Sequence, residues 1–195
     1  RERAGRMPGH AMYSLDAYVA DLRRITVATS DCGRIFDRVA PLARKLALAR
    51  KSWLEPRHYA TDPGQGFGVH LLHEEPDHAL AVFVVAWQPH DGAPPHDHGT
   101  WAVIAGVDGA ERNVKFNRID DRSRPDYAAL EERCAIDAGE GDVICIRPKG
   151  IHMVRNDSDR VTLSLHTYGR HVGYTGRSTF DLKTNRVTPF VITVS

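Results

Sequence analysis

Pro95-His96-Asp97-His98-Gly99 and, 54 residues after His98, Gly150-Ile151-His152 decide how this chain is read. Side chains two residues apart leave the same face of a strand, so His96 and His98 on one strand converge while Asp97 points away. His152 follows Arg147-Pro148-Lys149-Gly150, a turn that returns a strand toward the same place. Three neutral imidazoles with no cysteine nearby suit Fe, Zn, Cu or Ni and leave coordination positions open for substrate and for oxygen or water.

The sequence around these blocks is built of short apolar segments separated by turn signals such as Glu75-Pro76-Asp77, Asp108-Gly109 and Asp157-Ser158-Asp159. Expected strands are 68–73, 80–87, 96–107, 112–117, 133–136, 142–146, 152–156, 161–168 and 186–194, a spacing that suits a jelly-roll barrel. Residues 88–95, with Pro89, Gly92, Pro94 and Pro95, read as a loop. The front of the chain, 14–60, has a different period. Ser14 reads as an N-cap for a helix carrying Leu15, Tyr18, Val19, Leu22 and Ile25 on one face. A second helix from about Cys32 carries Ile35, Val39, Leu42, Leu46 and Leu48, with a kink or new start expected at Pro41. Residues 1–13 read as a flexible N-terminus, and 14–195 as one domain whose helices pack on the barrel.

The 195 residues carry 26 basic and 25 acidic side chains, a net charge of +1, which offers no electrostatic footprint for nucleic acid or an anionic membrane. Ala79–Trp87, the longest apolar run, is nine residues long and far short of the ~20 that span a bilayer. Cys32, Cys134 and Cys145 are odd in number and form no CxxC pair, which points away from a disulfide framework and toward a reducing, cytoplasmic setting. The expected partner is a small molecule, and the expected assembly a monomer or small homo-oligomer.

The histidine blocks, together with Gly141, Pro148, Gly150 and Asn156, resemble the two characteristic blocks of the cupin superfamily. That resemblance implies a double-stranded β-helix with a metal inside the barrel. Ala102 stands where cupins usually carry a glutamate. In this the chain resembles the thiol dioxygenases of the cysteine dioxygenase type, whose ferrous ion is held by three histidines and no carboxylate. Ser164-Leu165-His166-Thr167-Tyr168 resembles that family's Ser-x-His-x-Tyr element, a relay ending beside the iron. On a strand, Ser164, His166 and Tyr168 share one face, and such a polar row persists when its members satisfy one another.

The resemblance implies Fe(2+) held by His96, His98 and His152, catalysis assisted by Tyr168, His166 and Ser164, and oxidation of a small organic thiol by O2 to its sulfinate. Val69 stands where the family carries a carboxylate-binding arginine or glutamine, and an aliphatic side chain cannot take that part. His70 from the same strand, or an arginine from elsewhere, is the expected substitute. Arg177 resembles a family arginine near the site's mouth, where it would orient Tyr168 or bind an acidic substrate; a surface ion pair is its plainer alternative. No cysteine stands near Tyr168 in the pattern, so Tyr168 is expected as a free phenol. Trp87 and Trp101 read as barrel packing. The alternative activity is that of a cupin metalloenzyme, a dioxygenase or hydrolase, acting on a non-thiol small molecule.

Overall fold

The apolar run Ala79–Trp87 shows why this chain folds as it does: it is apolar on both faces because both are buried. In the computed structural model, which describes residues 12–195, the run is a strand whose Leu80, Val82, Val84 and Ala86 pack under two helices. Its Ala81, Phe83, Val85 and Trp87 line the interior of a barrel on the other side. A strand covered on both sides loses the polar alternation of a half-exposed one. The expected flexible N-terminus lies, for residues 1–11, outside the described residues.

Two helices open the described chain, α1 (Leu15–Ala28) and α2 (Cys32–Leu48). The Ser14 hydroxyl accepts the Ala17 N–H at 3.2 Å, and the Asp31 carboxylate accepts the Arg34 N–H at 2.9 Å, so each helix starts at a side-chain cap. Pro41 does not restart α2, which runs through it. The hydrogen it lacks would have bonded the carbonyl of Asp37, and both residues face solvent, so no buried carbonyl is orphaned. Leu48, expected on the buried face, is exposed at the helix end.

The strands are β1 (Phe67–Glu74), β2 (Ala79–Trp87), β3 (Gly92–His96), β4 (Ala102–Asp108), β5 (Glu111–Arg118), β6 (Leu130–Ala138), β7 (Val143–Ile146), β8 (Ile151–Arg155), β9 (Thr162–Arg170), β10 (Ser178–Phe180) and β11 (Val187–Pro189). They form a five-stranded sheet in the order β1-β2-β9-β4-β7 and a six-stranded sheet in the order β11-β10-β3-β8-β5-β6. The two sheets face each other as the double-stranded β-helix of a cupin, mainly β, with α1 and α2 packed on the outside of the five-stranded sheet. Tyr18 of α1 reaches through that packing to Thr167 of β9, hydroxyl to hydroxyl, at 2.7 Å.

The expected strand 96–107 is two strands. β3 ends at His96 in one sheet and β4 begins at Ala102 in the other, so residues 97–101 carry the chain across the barrel. Gly99 makes that crossing with φ +66°, where a Cβ would meet the carbonyl oxygen of Thr175 at 2.8 Å. Residues 88–95 are correspondingly not all loop, since β3 starts at Gly92. β10 went unpredicted because three residues carry no period, and the expected strand 186–194 pairs only over Val187–Pro189. Beyond it the chain runs beside β1, where Ser195 donates its N–H to the Val69 carbonyl at 2.8 Å and accepts the Leu71 N–H at 3.0 Å. No helix among the described residues is long and apolar enough to cross a membrane. The three cysteines are free.

Leu22 is fully buried between α1 and the sheet. Leu22→Ala is expected to cost about 2–5 kcal/mol of stability, read as a lower denaturant midpoint at unchanged slope.

Candidate metal centre

His96, His98 and His152 meet inside the barrel, 4%, 0% and 1% exposed, with their ligating nitrogens all within 4.8 Å of one another. They do so by a route other than a shared strand face. His96 ends β3, His152 lies directly opposite it on β8, and His98 comes from the crossing segment. Asp97 points away, as expected, and accepts the Ser178 N–H at 2.8 Å, pinning the crossing to β10.

The outer nitrogens of two of these rings are fixed by acceptors. His96 Nδ1 donates to the Pro94 carbonyl at 2.7 Å and His152 Nδ1 donates to Asn113 Oδ1 at 3.0 Å. A carbonyl can only accept, so each ring carries its hydrogen on Nδ1 and presents a bare Nε2 inward. His152 Nε2 and His98 Nε2 face each other at 3.3 Å, and the buried Nδ1 of His98 has no hydrogen-bond partner. Burial pushes the pKa of His96 down to about 3 and holds His98 and His152 well below the usual imidazole range, with neighbouring imidazoles and Arg177 adding to the effect. Neutral imidazoles converging in a dry interior are the form a first-row divalent metal requires, so the residues fit a metal ion.

The polar row of β9 is assembled beside them. His166 Nδ1 lies 2.9 Å from the Tyr168 hydroxyl, and His166 Nε2 lies 2.8 Å from Ser164 Oγ. The Tyr168 ring lies against His98, with centroids 5.2 Å apart. Directly opposite Tyr168 in the sheet stand Ala81 and Ala102. Opposed residues share a face, so the space that a longer side chain at 102 would claim lies beside the tyrosine ring. With alanine on either side, Tyr168 has no cysteine neighbour in the sheet.

The cavity in front of the histidines is small, about 30 Å³. Phe67, Val69, Phe83, Val85, Phe190 and Ile192 give it an apolar wall, and Arg177 is its cation. Arg177 is 6% exposed, its guanidinium lies over the Phe190 ring at 4.3 Å, and its Nε has no partner. It forms no ion pair among the described residues, so the surface salt bridge is excluded. His70 is not brought to the cavity. It occupies the opposite face of β1 from Val69, with Nε2 on the Ala60 carbonyl at 2.9 Å and Nδ1 on Ser195 Oγ at 2.8 Å.

Three residues that the sequence reading gave no part in the site belong to it. Trp87 does more than pack, because its indole donates to Ser164 Oγ at 2.9 Å. Glu111 Oε2 lies 2.9 Å from Ser164 Oγ, its Oε1 accepts from Asn113 Nδ2 at 3.1 Å, and Asn113 holds His152. The signal available for the last two was Glu111-Arg112-Asn113, polar at alternate positions like the row of β9.

No protein-family model matches the chain. Among solved structures it is similar to an oxalate oxidase bound to glycolate, at 17% identity and TM-score 0.45, over 57% of this chain and 54% of that one. It is also similar to the DMSP lyase DddQ of Ruegeria pomeroyi, at 19% identity and TM-score 0.43, over 60% and 53%. A double-stranded β-helix protein of Klebsiella pneumoniae matches at 13% identity and TM-score 0.48, over 65% and 88%. The matched region spans about half the length of the first two. Likeness this distant says nothing about the chemistry.

Asn113→Ala leaves His152 without the acceptor that orients it, and is expected to weaken metal binding about 10- to 100-fold in a titration against a competing chelator. Four buried imidazoles, His166 included, are held neutral below their unfolded pKa of about 6.5. The unfolded chain therefore binds more protons in acid. The metal-free protein is expected to keep full stability above about pH 6.5 and to lose it as pH falls toward 3, measured as thermal midpoint against pH.

Proposed function

We propose that this protein is a ferrous-ion-dependent dioxygenase that oxidises a small carboxylate-bearing organic thiol with O2 to the sulfinate. The observation that carries the proposal is the Tyr168 hydroxyl, held by His166 and Ser164, beside a three-histidine set that includes no carboxylate. Bound by His96, His98 and His152, Fe(2+) would supply open positions for thiolate and O2, lower the pKa of the thiol, and exchange electrons with both.

The chain's own residues supply the rest. A neutral ligand set leaves the negative charge to come from the substrate, which favours a thiolate. Arg177, buried and without an acidic partner, binds the substrate carboxylate, and Phe190 stacked on it limits how the guanidinium turns. Val69, Phe67, Phe83 and Val85 hold the carbon chain and keep water out. The Tyr168 hydroxyl orients the reacting groups by a hydrogen bond in a low-dielectric cavity, where such a bond counts most. His70, the other expected substrate contact, has both ring nitrogens engaged elsewhere and is given no part here.

A second reading, a cupin metalloenzyme acting on a non-thiol small molecule, is favoured by the wall itself. The wall around Val69 is apolar and Arg177 is its one cation, so nothing in it selects sulfur over another small anion that reaches the metal position.

Oxygen uptake and sulfinate formation by the Fe(2+)-loaded protein, with cysteine, 3-mercaptopropionate, mercaptosuccinate and cysteamine in parallel, separate the two. Stoichiometric sulfinate from a carboxylate-bearing thiol, and none from cysteamine, is the expected result. No uptake with any thiol, from protein that holds iron, supports the second reading. Tyr168→Phe is expected to keep its iron and lose about 100-fold or more in kcat, while Arg177→Gln raises KM for the acid substrate. Full activity in Tyr168→Phe removes the relay from the mechanism.

A further inference from the structure

The β9 relay does not end at Ser164. Ser164 Oγ has three neighbours: the Trp87 indole N–H at 2.9 Å, Glu111 Oε2 at 2.9 Å and His166 Nε2 at 2.8 Å. An indole only donates, so it occupies one lone pair of the serine oxygen. One proton and one lone pair remain to be divided between Glu111 and His166, and only two divisions exist.

If Glu111 is a carboxylate it must accept, so Ser164 donates to it. His166 Nε2 then carries the ring hydrogen and donates to Ser164, and Nδ1 accepts from Tyr168. The tyrosine proton is spent inside the relay and only a phenol lone pair faces the cavity. If Glu111 is protonated it donates to Ser164, Ser164 donates to His166 Nε2, and His166 Nδ1–H donates to the phenol oxygen. The Tyr168 hydrogen is then free to point into the cavity. Asn113 is satisfied either way, because its Nδ2 donates to Oε1 as carboxylate or as carbonyl.

We propose that Glu111 is the positioning residue that sets the direction of this chain, so that Tyr168 offers a proton to the cavity when Glu111 is protonated and only a lone pair when it is ionised. Passing between the two arrangements moves one net proton between the Glu111 carboxyl and the cavity face of Tyr168. The O–H bond lost at one end is matched by the O–H or S–H bond made or broken at the other, with each intervening group passing on one hydrogen and receiving one. A thiol that sheds its proton on binding thereby has an acceptor inside the protein.

The surroundings of Glu111 keep both states within reach. It is 4% exposed, and burial raises its pKa while its hydrogen bonds with Asn113 and Ser164 pull the other way. The titratable groups that face it are His166 and Tyr168 from β9 and, through Asn113, His152 from β8. β2 contributes the neutral Trp87, and β6 sets Ala138 opposite it. No lysine or arginine pairs with it among the described residues.

The proposal rests on the relay of the preceding reading, and its test needs no turnover. Two-bond 1H–15N correlation spectra of the zinc-loaded protein, labelled at histidine, report which nitrogen of His166 carries the hydrogen. The expected result is Nδ1–H at low pH, changing to Nε2–H as pH rises and Glu111 ionises. In Glu111→Gln the amide donates to Ser164 and its carbonyl accepts from Asn113, so Nδ1–H is expected at every pH. Ser164→Ala cuts the link and is expected to abolish the pH dependence, which keeps the test decisive if the glutamine variant does not fold. A wild-type tautomer that never changes, or a change that survives in either variant, overturns the proposal. Failure to oxidise any thiol overturns the dioxygenase reading and leaves the tautomer result intact.

Discussion

Four imidazoles, a phenol, a carboxyl and a guanidinium share the interior of one apolar barrel, and none of them has enough water to satisfy it. Desolvation makes each of these groups costly unless it stays neutral or finds a partner, so their positions are mutually constrained. Glu111 holds Asn113 and Asn113 holds His152, while Ser164, His166 and Tyr168 hold one another. Two groups fall outside this mutual satisfaction. The His98 Nδ1 and the Arg177 Nε are buried without a partner; His98 belongs to the three-histidine set and Arg177 lines the cavity beside it.

The five-stranded sheet supports this interior by having no exposed face. Leu80, Val82, Val84, Val103, Ala105, Leu163 and Leu165 pack beneath α1 and α2, which leaves the opposite side of the same strands to carry the polar row. The helices therefore act on the site at one remove, by holding β9 flat against a close-packed layer so that Ser164, His166 and Tyr168 stay in register. The Tyr18 contact with Thr167 sits on the strand between His166 and Tyr168 and ties the outer layer to the relay.

Much of this was legible before folding. The β9 row was readable because strand period 2 puts Ser164, His166 and Tyr168 on one face regardless of context. The two helices were readable from their caps and apolar stripes. The His96–His98 pairing reached the right conclusion through the wrong geometry: HxH suggested one strand, whereas the chain crosses between sheets at Gly99 and delivers His98 from a turn. Local spacing carries no information about which sheet a strand will join. A new helix start at Pro41 was not needed for a related reason, since a lost helix bond matters little where its carbonyl faces solvent.

What the sequence by itself determined is what depends on near neighbours: residue types, caps, strand faces and the absence of a carboxylate at position 102. Only the tertiary structure decided which distant side chains meet. His70 and Val69 are adjacent, and the fold sends Val69 to the cavity and His70 to Ser195. Arg177 could have been a surface ion pair, and the fold buries it over Phe190 with no ion pair among the described residues. Glu111 lies 53 residues from Ser164 and looks like any strand-edge acid in the sequence. Its contact with the relay exists because two sheets close on each other, and closure is a property of the whole barrel that no local pattern encodes.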